Sequence, residues 1–156
     1  MNNLDLLNKI KAKFPSVEEF KKENYTVADG VLTLNVPSDK FLELSKELKN
    51  DQEFDFDSLM CLSGVDYPDR FETVYHLSSI DLKHKITLKV ALNKTAPKVE
   101  SVTGIWETAN WHEREAYDMF GIIFNNHPDL RRILTVEGTT DFPLRKDYAA
   151  KPDQYD

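Results

Sequence analysis

Between Lys85 and Leu92 the chain alternates without a break: Ile86, Leu88, Val90 and Leu92 are apolar, and Lys85, Thr87, Lys89 and Ala91 stand between them. Successive side chains of a strand point to opposite faces, so this stretch reads as a strand with one face in a core and the other in water. A sheet wet on one side is typically antiparallel, because parallel sheets are covered on both. The rest of the chain has to supply partner strands and one layer of cover.

Both can be read nearby. Phe54, Phe56, Ser58, Met60 and Leu62 mark one face of a preceding strand, Tyr67-Pro68-Asp69 makes a turn, and Phe71 to Ile80, with Tyr75 and Leu77, is rich in strand formers. Upstream, Tyr25 to Val36 reads as a hairpin about Asp29-Gly30, with Leu32, Leu34 and Val36 alternating with Thr33 and Asn35. Leu4, Leu6, Leu7, Ile10 and Phe14 give a helical stripe over residues 3 to 14 that Pro15 ends, with a further turn around Val17–Lys22. Ser38 suits the N-cap of a second helix, whose Phe41, Leu44, Ser45 and Leu48 share a face and which ends near Asn50. A third helix runs from about Trp111 to Phe120, after a short turn around Gly104–Trp106. Asn110 followed by Glu113 fits a capping box, and Gly121 suits the left-handed position past its end. The order is helix, two strands, helix, three strands, helix. It predicts a two-layer α+β domain over residues 1–124, a mostly antiparallel sheet covered by helices.

Composition excludes several functions. At 156 residues there is room for one domain and a tail. Twenty-seven acidic against twenty basic residues give a net charge of −7, the wrong sign for a nucleic-acid binder. No apolar run reaches the length of a membrane span, and Met1-Asn2-Asn3-Leu4-Asp5 lacks the basic start and apolar middle of a signal peptide. A soluble cytoplasmic protein without membrane insertion is expected. Cys61 is the only cysteine, so neither an intramolecular disulfide nor a cysteine-ligated zinc or iron–sulfur site can be built; it is expected to be a small buried hydrophobe. The five glycines are dispersed, with no G-x-G-x-x-G or Walker A loop, so no redox cofactor or nucleotide is expected on this chain.

Residues 125–156 differ in character. They contain Pro128, Pro143 and Pro152 and no period, yet also Leu130, Ile133, Leu134, Phe142, Leu144 and Tyr148. Such a segment either wraps over its own domain, orders on a partner surface, or is disordered. Its apolar content argues against disorder. The balance of six apolar anchors against the backbone entropy of about thirty residues favours an extended arm ordered on a partner, with Arg131, Arg132 and Arg145 as polar anchors.

The densest polar cluster is Trp111-His112-Glu113-Arg114-Glu115-Ala116-Tyr117-Asp118. His112 and Glu115 can share a helix face and could hold a metal with His127, but Ala116 breaks H-E-x-x-H. Glu113 and Glu115, two apart, point in different directions and make a poor acid–base pair. As a plain charged helix, Arg114 and Asp118 would form an i,i+4 pair. That reading leaves unexplained why Trp111, Tyr117, Met119 and Phe120 crowd the same stretch; aromatic residues and methionine beside arginine are the composition of an interface core. Arg131-Arg132 and Arg145-Lys146 are too few for a phosphate or membrane-surface site and fit arginines that pair with carboxylates on another subunit. Of the two histidines on predicted strands, His76 and His84, the latter lies between Lys83 and Lys85 and is expected to be solvated.

Glu113-Arg114-Glu115, Asp118-Met119-Phe120, His127, Arg131 and Ile133-Leu134, at this spacing, resemble the signature of the 30-kDa subunit of respiratory complex I, the bacterial NADH:quinone oxidoreductase. Ser101 to Trp106, Asp141 to Tyr148, and Gly64-Val65-Asp66-Tyr67-Pro68 with Tyr75-His76-Leu77 resemble the same family, so about two thirds of the chain is covered. The resemblance implies a structural subunit of the hydrophilic arm of a proton-translocating enzyme. That enzyme passes electrons from NADH through FMN and iron–sulfur clusters on other subunits to quinone. This chain would bind no cofactor, contact the large quinone-site subunit and its neighbours, and sit peripherally on the cytoplasmic face of the membrane. Glu113, Arg114, Glu115, Asp118, Phe120, His127, Arg131, Arg132 and Arg145 would then be structural and interface residues, with none catalytic. The alternative is the equivalent subunit of a membrane-bound energy-converting hydrogenase or a formate hydrogenlyase; the Asp141 to Tyr148 segment tilts toward the respiratory form.

Overall fold

The computed structural model describes residues 1–20 and 30–150. The elements, in chain order, are α1 (Asn3–Lys13), β1 (Glu18–Glu19), β2 (Leu32–Asn35), α2 (Ser38–Asn50), β3 (Ser58–Asp66), β4 (Arg70–Ser78), β5 (Lys85–Asn93), β6 (Lys98–Glu100), α3 (Ala109–Phe120) and β7 (Ile123–Asn125). Five strands form one sheet in the order β1-β2-β5-β4-β3. The β3–β4 and β4–β5 pairs are antiparallel, as the patterning predicts, and so is β1–β2. The β2–β5 pair is parallel, because α2 and the β3–β4 hairpin intervene between these neighbours. A second, parallel pair of β6 and β7 brackets α3; neither strand has an alternation long enough to be read in the sequence.

The alternating stretch forms β5 and behaves as expected on its inner face: Ile86, Leu88, Val90 and Leu92 are buried against one continuous core. On the outer face Thr87 is also buried, beside the Nδ1 of His76 at 3.1 Å. Tyr75 lies opposite Leu88 and Leu62, and its ring packs 4.5 Å from that of Phe41 on α2.

Local readings fail where the backbone leaves its regular path. The strand expected from Phe54 begins only at Ser58. Phe54 and Phe56 are buried in the loop before it, tied back by Phe54 N–H to Asp51 O and Phe56 N–H to Leu48 O. A bulge between Leu59 and Cys61 leaves Met60 out of register. An extra residue inverts the alternation beyond it. Leu59 and Leu62 therefore point inward, while Met60 and Cys61 are exposed, so Cys61 is not the buried hydrophobe expected. His84 is half-buried rather than solvated: its Nε2 bonds Phe54 O and its ring lies 4.6 Å from that of Phe56. The turn expected at Val17–Lys22 is replaced at Glu18–Glu19 by the edge strand β1. Asp29 and the first strand of the expected Tyr25–Val36 hairpin lie outside the described residues; β1 is the antiparallel partner of β2.

Two glycines position the last helix. Gly121 caps α3 in the left-handed conformation at φ 74°, its N–H 2.8 Å from Tyr117 O. Gly64 on β3 lets α3 close onto the sheet: a Cβ there would stand 2.7 Å from the Phe120 ring.

Candidate functional site

The residues singled out in the sequence converge on α3 and the segment that follows it. The helix starts at Ala109, two residues before the sequence suggested, and Thr108 precedes it without a side-chain cap. Glu113 does not turn back to make a capping box. Its carboxylate leaves the helix and accepts from Val102 N–H at 2.8 Å and from the Ser101 hydroxyl at 2.6 Å. It is fully buried, and burial pushes its carboxyl up to about 7 against the opposing effect of these two donors. His127 Nε2 lies 3.9 Å away. That imidazole donates from Nε2 to Asn110 O at 3.1 Å and accepts Asp129 N–H on Nδ1 at 3.0 Å, which sets the Nε2–H tautomer. Glu113 and His127 thus tie the start of α3 to the loops before and after it.

At the other end of the helix Asp118 is also fully buried, but ringed by donors. It accepts from the N–H groups of Ile133, Leu134 and Thr135 at 3.1, 2.7 and 2.9 Å, from the Thr135 hydroxyl at 2.5 Å, and from Arg132 Nη1 at 2.8 Å. Burial alone would raise its carboxyl; the Thr135 hydroxyl and N–H, the Leu134 N–H and Arg132 outweigh burial and hold it well below the usual carboxylate range. The expected Arg114–Asp118 pair does not form. Arg114 reaches the carbonyls of Arg131 at 3.2 Å and Arg132 at 3.3 Å instead, and its guanidinium lies over the Trp111 ring at 4.9 Å.

Residues 126–150 wrap over the end of α3 as a strap. A helix leaves its last carbonyls without partners. Here Arg132 Nη1 donates to Asp118 O, Leu144 N–H to Met119 O, and Arg145 Nε to Phe120 O. The two guanidiniums also suit the negative end of the helix dipole. Arg145 lies between the Phe142 and Phe71 rings at 4.5 and 5.0 Å, and Lys146 N–H reaches Asp66 Oδ2 at 2.9 Å. Asp66 also takes Lys94, which donates in turn to Tyr67 O. These orphan carbonyls give the segment a template within its own chain, beside the six apolar anchors weighed against backbone entropy. Arg132 and Arg145, expected to anchor a partner, are engaged within the chain. Arg131 is exposed and pairs with Asp129 at 2.9 Å.

Glu115 is exposed and His112 half-buried; the structure does not gather them with His127. Among the described residues no three histidine, cysteine or acidic side chains form a group able to hold a metal. Ser101, Val102 and Asp66 stood in the sequence only within stretches that resemble the family, without a role, and Thr135 and Lys94 were missed. Thr135 lies just past the conspicuous Arg131-Arg132 pair, but no local rule links it to a carboxylate on the helix.

The family model described as respiratory-chain NADH dehydrogenase, 30 Kd subunit, matches residues 34–154, which includes α2, the long strands, α3 and the strap. The chain belongs to this family. The NADH-quinone oxidoreductase subunit designated C 2 in Rhizobium meliloti (strain 1021) is 49% identical over 129 residues, 81% of this chain and 70% of that protein. The NADH-quinone oxidoreductase subunit designated C in Roseiflexus sp. (strain RS-1) is 40% identical over 154 residues, 94% of this chain and 84% of that one. Among solved structures, the trypsin-resistant fragment (1–134) of Nqo5 superposes with a TM-score of 0.66 at 29% identity, over 82% of this chain and 99% of the fragment. The α+β architecture read from the sequence is the one this fragment shares over the superposed part.

Proposed function

We propose that this chain is a structural subunit of the peripheral arm of NADH-quinone oxidoreductase and transfers no electrons itself. Family membership over residues 34–154 supports the assignment to that enzyme, and relatives that are named as one of its subunits favour it over the hydrogenase-type alternative. One observation carries the non-catalytic part: the signature carboxylates Glu113 and Asp118 are buried and bound to groups of the same chain, with no face left for a substrate. Electron carriers, FMN and iron–sulfur clusters with NADH and quinone at their ends, would belong to other subunits. The partners would be the large quinone-site subunit and neighbouring subunits of the arm. Among the described residues no helix is long and apolar enough to cross a membrane, which suits attachment through the complex on the cytoplasmic face.

The test is isolation of the tagged chain from membranes under native conditions, with mass spectrometry of what accompanies it. NADH-quinone oxidoreductase subunits should co-purify in fixed ratio. The chain purified alone should show no flavin or iron–sulfur absorbance and no NADH oxidation. Stoichiometric iron or flavin on the isolated chain, or recovery of hydrogenase subunits, would overturn the assignment.

A further inference from the structure

The flank of α3 that faces away from the core forms, with residues 130–139 of the strap, an open cleft of about 600 Å³ lined by Trp111, Arg114, Tyr117, Ile133 and Glu137 among others. Its arginines are not equivalent. Arg132 is matched by Asp118 at 2.8 Å and Arg131 by Asp129 at 2.9 Å. Arg114 is only 8% exposed, yet its hydrogen bonds go to two backbone carbonyls at 3.2 and 3.3 Å. Among the described residues no carboxylate lies within 4.0 Å of it, Glu137 included. A guanidinium that has lost most of its water and gained only neutral acceptors is an unmatched charge. The Trp111 indole supports it from one side and is itself 62% exposed. On the strap nearby, Leu134 and Val136 are 65% and 79% exposed. A largely exposed tryptophan stacked on a desolvated arginine has the composition of an interface hot spot.

We propose that this cleft receives a segment of a neighbouring subunit that carries one carboxylate beside a large apolar side chain. The carboxylate pairs with Arg114, and the apolar group covers Trp111. The inference rests on the reading of this chain as a subunit of a larger assembly and names the chemistry of one contact in it. Charge selects the occupant. A single unmatched planar fork suits one carboxylate. Nucleic acid would require a basic stripe, whereas two of the three arginines here are already neutralised and the chain carries −7 overall.

The experiment uses the intact complex in membranes, with a benzophenone-bearing residue at position 111 and, as a control on the open sheet face, at position 60. The probe at 111 should cross-link to a peptide of another subunit that contains Asp or Glu next to an aromatic or branched residue. Arg114→Glu should lower recovery of that subunit with the tagged chain roughly thirtyfold, the scale of one hot-spot contact. Arginine in place of the identified carboxylate should restore it. Because Arg114→Glu can disturb folding, Trp111→Ala serves as a second variant. It should keep the wild-type melting temperature and still lose recovery. Co-purification of other subunits combined with a cross-link from position 111 only to this chain, a second copy or lipid overturns the proposal. So does unchanged recovery in both variants, or failure of the charge exchange to restore it. If the wild-type chain brings down no other subunit, the assembly reading itself fails, and the cleft proposal with it.

Discussion

Glu113 and Asp118 lie on the same helix, both fully buried, and their carboxyls are driven in opposite directions. Glu113 meets two donors, neither charged, and burial prevails. Asp118 meets three backbone N–H groups, a hydroxyl and a guanidinium, and the donors prevail. Burial does not set the fate of a carboxylate; the number and charge of the groups that replace its water do. The same contrast separates two contacts of α3. Glu113 joins its first half to the loop before the helix, and Asp118 holds the strap to its second half through a charged clasp.

The largest effect should follow from opening the clasp. Asp118→Ala removes the acceptor of five hydrogen bonds and leaves Arg132 without its carboxylate, a loss of about 3–5 kcal/mol for a buried pair. Urea unfolding should show the loss, and amide exchange should show deprotection concentrated at residues 132–146. A uniform loss across the sheet would mean that the strap is not a separately held unit.

pH should distinguish the two carboxylates. Glu113 binds its proton more tightly folded than unfolded, so the stability it confers is greatest below its ordinary pKa of 4.5 and is lost as the pH rises through about 7. A shift of that size corresponds to something on the order of 3 kcal/mol. Asp118 behaves oppositely: its contribution is present above its ordinary pKa of 3.8 and disappears as the pH falls through its depressed folded value. Unfolding curves at pH 5, 6, 7 and 8 should show declining stability in the wild type and a flatter profile in Glu113→Gln, whose amide oxygen can still accept Val102 N–H. Parallel profiles would remove Glu113 from the account.

A smaller effect should come from Gly121→Ala. A Cβ there stands 2.6 Å from Arg145 Nη2 and 2.8 Å from the Phe142 ring, and the left-handed φ adds strain. Overpacking of this kind costs about 1–3 kcal/mol. It should fall on the strap half alone, leaving exchange around Ser101–Val102 unchanged. The smallest belongs to Arg131→Ala. Its pair with Asp129 is solvent-exposed, and such pairs contribute about 0–1 kcal/mol. A melting temperature close to wild type would set Arg131 apart from Arg132, its neighbour in sequence.

Much of the architecture was legible because period and turn chemistry are local. The alternation in β5, the apolar face of α2 and Gly121 at the end of α3 appear where expected, and so does the α1 face except for Leu4, which is exposed. The faces of β3 were not legible, because one bulged residue at Met60 inverts them without any mark in composition. The strands β6 and β7 are too short to show a period. At the site, the sequence marked the helix, the segment after it and their charged residues, but read that segment as an arm on a partner and paired charges by proximity in the chain: Arg114 with Asp118, Glu113 with its own N-cap.

The sequence by itself determined the three helices and the long strands, the amphipathic faces of α2 and β5, and the signature that marks the family. Those properties follow from residue type and spacing over a few turns. Tertiary structure alone decided which charges meet. Asp118 finds Arg132 and the Thr135 N–H because the strap returns to the end of α3, where helix carbonyls without partners offer it a template. Glu113 finds Val102 because the loop before the helix presents an N–H within the core. Hydrogen bonds of this kind depend on ångström-scale approach between segments distant in sequence, and no local pattern encodes that approach.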